Sequence, residues 1–266
     1  MKIAIIGAGN MGGAVARGLA KGGLVQTSDI YISNPSTPKL EAIKVEFPDI
    51  NITTDNSVAA KAADIVIFAV KPWIVESVVS ELKPVLDYSR QAVGSMVGGL
   101  GIAQLSEWLD RGDGLLPATY IIIPNTAIAT MSSMTFISSA RSTNEMDSTI
   151  LDIFGELGEA MLIDEAVMPA ATSLASCGIA YALRYIRAAM EGGVELGFRA
   201  DDAKHIVMQT LRGAVDVLEA NGTHPEVEID RVTTPGGLTI KGLNAMEAAG
   251  FTHSVIEGLR ASTKRS

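Results

Sequence analysis

Short runs rich in isoleucine and valine alternate with helix-like segments through the first 163 residues of this chain. Such alternation is typical of a parallel sheet with helices on its faces, because parallel crossovers are usually made by helices. Central parallel strands are buried on both faces and therefore appear as continuous apolar runs. Strands are predicted at about residues 3–6, 30–33, 52–53, 65–70, 92–97, 120–123, 135–138 and 160–163.

The strand signal stops after Asp164, and the remaining sequence has helical periodicity. Helices are predicted at about residues 166–196, 200–220, 238–249 and 252–262. The expected fold class is therefore α/β, with a Rossmann-type, largely parallel sheet followed by an all-α C-terminal domain. The change in pattern places the domain boundary after residue 163, which gives domains of residues 1–163 and 164–266.

Glycine, proline and capping residues mark several helix ends in the first domain. Gly22-Gly23 is predicted to end the first helix, and Thr37-Pro38 and Pro72 are predicted to begin later ones. Asn56 is predicted to cap the helix after the third strand, because an asparagine side chain can accept hydrogen bonds from the free N–H groups of a first turn.

The formal net charge of −9 argues against a nucleic-acid partner or an anionic membrane surface, because both would repel the chain. The dense basic pair Lys264-Arg265 stands at the end of the sequence, where a solvated tail is expected. Only four apolar residues separate Met1-Lys2 from Gly7, which is too few for a signal peptide and predicts a strand.

The single cysteine, Cys177, excludes an intrachain disulfide and is typical of a reducing compartment, so a cytoplasmic location is expected. The most apolar later stretch, residues 166–190, carries Arg184 and Arg187 and is rich in alanine and serine. A membrane span is therefore not expected there.

A glycine pattern, Gly7-Ala8-Gly9-Asn10-Met11-Gly12, follows the first predicted strand and opens the first helix. In a dinucleotide-binding turn, the first glycine makes the tight turn, the second lets the backbone approach the pyrophosphate, and the third allows helix and strand to pack closely. The following helix directs its free N–H groups at the phosphates. The alternative is a glycine-rich turn without a ligand, which the many following strand-helix units disfavour.

Cofactor choice is read at the end of the second strand, where an NAD enzyme usually carries an acid for the ribose 2′-hydroxyl. Here the sequence is Ser33-Asn34-Pro35-Ser36-Thr37, which has no carboxylate, and Lys39 is close. NADP is therefore expected in preference to NAD. Lys71 follows the fourth strand and could contact cofactor phosphate or ribose, or could be an ordinary solvated lysine. Pro124-Asn125-Thr126 leaves the sixth strand at the same edge and could face the nicotinamide.

The segment Thr233-Thr-Pro-Gly236-Gly237-Leu-Thr239 forms an unusual loop before a predicted helix. Paired glycines let the backbone come close to a ligand, and the N–H groups entering the helix can hold a carboxylate. The Thr239 hydroxyl can donate or accept a hydrogen bond. A plain proline-glycine turn, with Thr239 in the first helical turn, explains the same residues equally well.

Taken together, these segments resemble pyrroline-5-carboxylate reductase, and the resemblance covers essentially the whole chain. It rests on the glycine pattern and on the following segments: Ala69-Val-Lys71-Pro72, Pro124-Asn-Thr126, Gly178-x-Ala180-Tyr181, Thr234-Pro-Gly-Gly-x-Thr239 and Glu247-Ala-Ala-Gly250-Phe251.

The resemblance implies NAD(P)H-dependent reduction of 1-pyrroline-5-carboxylate to L-proline. It implies substrate binding by Thr234, Gly236, Gly237 and Thr239, with the carboxylate near the two glycines and the ring nitrogen near Thr239, the implied catalytic residue. The implied cofactor contacts, beside the glycine pattern from Gly7 to Gly12, are Ser33, Asn34, Asn56, Ala69 and Lys71, with Met96, Val97 and Gly98 beside the nicotinamide. The family also suggests a homodimer with interleaved C-terminal helices, or a higher homo-oligomer built from such dimers, in which each active site uses both chains.

Imine reduction needs a hydride donor, an electrophilic carbon and close placement of the reactants, but no metal or protein nucleophile. The sequence agrees, since His205, His224 and His253 are not paired as in a metal motif. Neither a GxSxG nor a GxxxxGK pattern is present.

Two segments depart from the family's usual sequence. Ala175-Ser-Cys-Gly-Ile179-Ala-Tyr181 stands where Ser-Gly-Ser-Gly-Pro-Ala-Tyr is common, and Ala127 replaces the proline of Asn-Thr-Pro. Both changes concern the substrate region, so reduction of another small cyclic imine stays open.

Two further alternatives are a non-catalytic homologue that binds a dinucleotide as a sensor or assembly protein, and a β-hydroxyacid dehydrogenase. The second would need a catalytic lysine on the first long helix, and residues 166–203 contain none. The intact Thr234–Thr239 segment argues against the first, because a protein that only binds cofactor has no evident need of a substrate site.

Overall fold

A computed structural model describes residues 1–263, so the basic pair Lys264-Arg265 lies outside the described residues. The first half contains one eight-stranded sheet. Its strands are β1 (Ile3–Ile6), β2 (Ile30–Ser33), β3 (Asn51–Thr53), β4 (Ile65–Phe68), β5 (Ala92–Ser95), β6 (Ala118–Ile123), β7 (Ser133–Ala140) and β8 (Gly158–Leu162). All eight predicted strands are confirmed, with ends that shift by up to two residues.

The strand order is β3-β2-β1-β4-β5-β6-β7-β8, and every neighbouring pair is parallel except β6 and β7. This confirms the Rossmann-type, largely parallel sheet. The order reverses between β1 and β4, where Ile5 pairs with Ile32 on one side and Ile67 on the other. A crevice opens at such a switch point, outside the carboxyl ends of the strands, and ligands of open α/β sheets bind there.

Helices cover both faces of this sheet: α1 (Asn10–Lys21), α2 (Thr37–Glu46), α3 (Asn56–Ala62), α4 (Val75–Leu82), α5 (Ile102–Leu109) and α6 (Asn144–Gly155). Successive residues of a strand point to opposite faces. Ile3 and Ile5 accordingly belong to one buried cluster, and Ala4 and Ile6 belong to another. The first helix ends before Gly22, as predicted.

Two predicted helix starts are wrong in detail. Asn56 is the first residue of α3, and Asp55 is its cap, accepting hydrogen bonds from the N–H groups of Ser57 and Val58. The carboxylate takes the capping position because it directly precedes the helix. Pro72 begins a short 3₁₀ turn, Pro72–Ile74, which leads into α4.

Replacing Asp55 with alanine should lower the free energy of unfolding by about 1 kcal/mol, because two N–H groups of α3 lose their acceptor. Chemical denaturation monitored by circular dichroism would measure the change. Asp55→Asn is the matched control, since asparagine caps helices about as well as aspartate. Equal stability of the alanine and asparagine variants would contradict the assignment of this cap.

The chain divides into two compact units, Met1–Ser176 and Cys177–Ser266. The first continues past β8 through a short helix, α7 (Met168–Ala171), and a π-helical stretch, Thr172–Cys177. Met168 is buried in the core on one face of the sheet, which explains why this segment belongs with the first unit. The domain boundary predicted after residue 163 stays a prediction.

The second unit is helical: α8 (Gly178–Glu195), α9 (Ala200–Asn221), α10 (Pro225–Val232), α11 (Leu238–Ala248) and α12 (Phe251–Thr263). The long helix predicted over residues 166–196 is present as one helical stretch, Glu165–Glu195, with a π-helical segment inside it, whereas α10 was not predicted. The signals for α10 were present, since Pro225 stands in its first turn and the His224 ring accepts a hydrogen bond from Glu226 N–H.

Most of the second unit's helical surface is exposed. Helices α8, α10, α11 and α12 contain no buried residue within the described part of the chain, and large apolar side chains such as Leu183, Phe198 and Val215 are exposed. The stretch Glu165–Glu195 is long and apolar enough to cross a membrane by length and composition, with a mean hydropathy of 1.4 in its most apolar window. An exposed apolar surface of this extent is typical of a site that binds another protein or a membrane.

Candidate functional site

A cleft of about 860 Å³ lies at the carboxyl ends of β1 to β4, within the first unit. Eight of the predicted cofactor residues line it: Gly7, Gly9, Asn10, Met11, Asn34, Asn56, Ala69 and Lys71. The cleft lies at the reversal of strand order, where the fold is expected to bind its ligand.

The glycine turn is held against β4 by close backbone contacts. Gly7 has φ +111°, and a Cβ placed there would lie 2.7 Å from the carbonyl oxygen of Ala69. A Cβ on Gly12 would overlap the carbonyl oxygen of Gly7. Both glycines are therefore required by the protein's own packing.

Gly9 differs from these two glycines. Its backbone is extended, with φ −69° and ψ −171°, and a Cβ there would meet no atom of residues 1–263 within 4 Å. Helix α1 begins directly after it, and no side chain in the described part of the chain caps its first turn. Free N–H groups beside an open space form a seat for a phosphate, so the turn fits the pyrophosphate of a dinucleotide.

Polar side chains at the end of β2 and directly after it stabilise one wall of the cleft. The Asn34 side-chain oxygen accepts a hydrogen bond from Ala8 N–H at 3.2 Å, and its amide nitrogen donates to the backbone oxygen of Ser36 at 2.9 Å. Ser33 is fully buried, and its hydroxyl donates to the side-chain oxygen of Asn56 at 2.8 Å. Ser33 thus lies behind the cleft wall and orients Asn56, which lines it.

The charged residues that line the cleft are cations. Lys39 and Lys71 both border it, and none of its lining residues is a carboxylate within the described chain. The Lys71 ammonium lies 5.9 Å from the centre of the exposed Trp73 ring. A cleft with this charge favours a ligand that carries several phosphates.

The three residues predicted beside the nicotinamide follow β5 and do not line this cleft. Met96 and Val97 are buried, while Gly98 is exposed and a Cβ there would meet nothing within 4 Å. Met96 N–H donates to the carbonyl oxygen of Phe68 at 2.9 Å, which extends the pairing of β4 and β5.

Sequence reasoning missed part of the lining. Thr54 follows β3 at the same sheet edge, and the strand-end rule could have found it. Ile74, Ser77 and Val78 have the i, i+3, i+4 spacing of one helix face, but the sequence does not predict that this face borders the cleft. Further lining residues are Ala14, Pro35, Val70, Ile128 and Ala129.

The loop after β6 contributes to another wall of the cleft. Thr126, named from the sequence, lines the cleft, whereas Asn125 is buried and accepts a hydrogen bond from Ala127 N–H at 3.0 Å. Proline has no N–H, so the alanine at position 127 is what makes this bond possible. The departure from the family's usual sequence therefore fixes the Asn125 side chain.

The predicted substrate loop lies in the second unit, before α11. Thr234 to Gly237 form a β-turn, in which Gly237 N–H donates to the carbonyl oxygen of Thr234 at 2.9 Å. Gly236 has φ +72°, and proline followed by such a glycine is typical of a type II turn.

Helix α11 begins after Gly237, and no side chain of residues 1–263 caps it, so its first N–H groups are available to an anion. Thr239, in the first turn, is exposed, and within residues 1–263 its hydroxyl forms no hydrogen bond. The first turn of α11 therefore offers N–H donors for a carboxylate. The Thr239 hydroxyl belongs to the same turn. Within the described residues, no three His, Cys, Asp or Glu side chains are grouped as metal ligands.

Two sequence models of known families match the chain. Residues 165–266 match the one described as pyrroline-5-carboxylate reductase dimerisation, and residues 2–93 match the one described as NADP oxidoreductase, coenzyme F420-dependent. The two matches cover the helical unit and the first four strands of the sheet, respectively.

Curated relatives and a solved structure agree with these matches. Pyrroline-5-carboxylate reductase 1 of Dictyostelium discoideum is 36% identical over 99% of this chain, which spans 49% of that protein's length. Pyrroline-5-carboxylate reductase 2 of the same organism is 37% identical over 99% of this chain and 91% of its own length. A Plasmodium falciparum pyrroline carboxylate reductase, solved with NADP bound, has a TM-score of 0.88 at 28% identity, covering 99% of this chain and 95% of that one. The chain therefore belongs to the pyrroline-5-carboxylate reductase family.

Proposed function

We propose that this chain reduces 1-pyrroline-5-carboxylate to L-proline with NADPH, the last step of proline biosynthesis. The observation that carries the proposal is the 37% identity to a reductase of that name along 99% of the chain. An alignment of that length includes both the cofactor cleft and the turn before α11. NADP is the cofactor, in agreement with the NADP-bound relative and with a cleft lined by lysines and by no carboxylate among the described residues.

The reaction adds a hydride to the imine carbon and a proton to the ring nitrogen. Bound NADPH supplies the hydride. The chain's own residues bind and orient: the turn at Gly9 and the N–H groups of α1 hold the pyrophosphate, and Asn56, fixed by Ser33, lines the cleft. We assign Ser33 a positioning role, since its buried hydroxyl is already bonded to Asn56.

The turn before α11 binds the substrate in this proposal. The first N–H groups of α11 hold the carboxylate beside the Gly236-Gly237 turn, because the positive end of a helix favours an anion. The Thr239 hydroxyl accepts a hydrogen bond from the protonated ring nitrogen, which keeps the imine carbon electrophilic and orients it toward the hydride donor. A substrate iminium brings its own proton, so the chain needs no strong acid at this position.

We further propose a homodimer built through the helical unit, in which each active site uses both chains. The match to a dimerisation model indicates homo-oligomerisation, and the second unit exposes apolar helix faces that a second copy would cover. The apolar stretch Glu165–Glu195 is then interface rather than a membrane span. Together with the single cysteine, this supports a cytoplasmic location.

A charge on the proposed interface should separate the subunits. Leu183 on α8 is 59% exposed in one chain, and Leu183→Asp would place a carboxylate in a buried apolar contact of the dimer. We expect light scattering to find monomers at concentrations where the unchanged protein is dimeric. Leu115→Asp is the control, because Leu115 is equally exposed but lies in a loop of the first unit. A Leu183→Asp protein that stays dimeric would exclude α8 from the interface.

The activity is tested by following the near-ultraviolet absorbance of NADPH after addition of 1-pyrroline-5-carboxylate. Oxidation of NADPH with formation of proline supports the proposal. Binding of NADPH without turnover would favour a dinucleotide sensor. Turnover of a different cyclic imine in a substrate panel would show that Ile179 and Ala127 have changed the substrate.

A further inference from the structure

A second cavity, of about 420 Å³, adjoins the cofactor cleft on the side facing α2. Five residues border both cavities: Gly9, Asn10, Ala14, Lys39 and Ala129. Ala42 and Ile43 of α2 form part of its lining. The cofactor cleft therefore continues past the end of β2, and Lys39 stands where the two spaces meet.

Two cations, Lys39 and Arg17, line the second cavity, and its lining includes no carboxylate from the described chain. Arg17 is already engaged, since its Nε lies 2.9 Å from both carboxylate oxygens of Glu46. The hydrogen bond from Arg17 holds the pKa of the Glu46 carboxyl below its usual value. Arg17 adds positive potential, but its donors are largely taken.

Lys39 has no such partner. It is exposed, and within residues 1–263 its ammonium forms no hydrogen bond or ion pair. The nearby amide of Asn34 is occupied by Ala8 and Ser36, so it has little left to offer a ligand at this place. A free ammonium beside a cavity without carboxylates suits a compact, doubly charged group such as a phosphate monoester.

The position of Lys39 identifies which phosphate this is. The ribose of the adenosine half lies beyond the end of the second strand in a Rossmann fold, and its 2′ substituent is contacted there. We infer that Lys39 binds the 2′-phosphate of NADPH and is the residue by which this chain prefers NADPH to NADH. This deepens the proposed function, on which it rests only for the class of cofactor.

Lys71 has a different place in the site. It follows β4, on the other side of the glycine turn from β2, and its ammonium lies over the Trp73 ring. A contact that Lys71 makes from the β4 side would fall on parts of the cofactor that NADPH and NADH have in common. Lys71 should therefore interact with charges that both cofactors carry, whereas Lys39 should interact with the extra phosphate of NADPH.

The test is direct binding without substrate, so that it stands even if the proposed reaction fails. NADPH and NADH are titrated into Lys39→Met and Lys61→Met, and adenosine 2′,5′-bisphosphate is compared with adenosine 5′-monophosphate. Lys61 is an exposed lysine of α3 outside both cavities and serves as the matched control. Lys39→Met should weaken NADPH and the bisphosphate about 10- to 100-fold and change NADH and the monophosphate less than about twofold.

Lys39→Arg should keep most of the NADPH affinity, because a guanidinium also binds phosphate. Thermal unfolding of each variant without ligand establishes that it is folded. A parallel loss for NADPH and NADH, or no change for either, would overturn the assignment. Loss confined to the two 2′-phosphorylated ligands would support it.

Discussion

Alanine at position 9 should weaken NADPH binding by about 10- to 100-fold and leave the fold intact, whereas alanine at position 12 should damage the fold itself. The reason lies in what a Cβ would meet. At Gly9 it meets no atom of the described residues within 4 Å, so the added methyl occupies only the space assigned to the pyrophosphate. At Gly12 it overlaps a backbone oxygen of Gly7, which cannot move without disturbing the turn.

Isothermal titration with NADPH and thermal unfolding of the free proteins would measure the two effects. Gly9→Ala should unfold within about 1 kcal/mol of the unchanged protein, since its φ and ψ suit alanine. Gly12→Ala should lose about 2 to 3 kcal/mol. Gly155→Ala is the control, because among the described residues its Cβ also meets nothing within 4 Å and it lies in α6, outside the cleft. Full NADPH affinity in Gly9→Ala would show that the pyrophosphate binds elsewhere.

The second large effect is expected at Thr239. Thr239→Ala should lower kcat/KM for 1-pyrroline-5-carboxylate by about 100-fold, because the hydroxyl orients the ring nitrogen while the hydride is transferred. The Kd of NADPH should change less than the turnover does, since Thr239 is assigned to the substrate and not to the cofactor. Steady-state kinetics together with cofactor titration separate these two quantities.

Thr239→Ser is the control for this variant, because serine keeps the hydroxyl at the same helical position. It should retain most of the activity that alanine loses. Thr210→Ala, which removes an exposed hydroxyl of α9, should leave turnover near its original value. Unchanged turnover in Thr239→Ala would remove this residue from the catalytic assignment.

Features carried by one segment of sequence were predictable. The continuous apolar runs located all eight strands, and the glycine pattern lies directly after β1, at the switch point of the sheet. Carboxyl ends of parallel strands meet at one edge, so the sequence alone groups Asn34, Ala69 and Lys71, which line the same cleft.

Features that depend on how segments pack were not predictable. Asn56 looked like a helix cap, but Asp55 takes that role and leaves Asn56 to bond Ser33 from another strand. The helix expected over residues 166–196 is present, but its π-helical stretch was not indicated by any local pattern. The cavity beside Lys39 depends on the distance between α1 and α2, which the sequence does not contain.

The most direct test is a crystal structure of the oligomer with NADP⁺ and L-proline bound. We predict that the proline carboxylate lies beside Gly236 and Gly237 on the first N–H groups of α11, with its nitrogen at the Thr239 hydroxyl and its C5 about 3 to 3.5 Å from C4 of the nicotinamide. Proline bound away from this turn would contradict this prediction. So would a turn too far from the nicotinamide for contact, both within one subunit and across the interface.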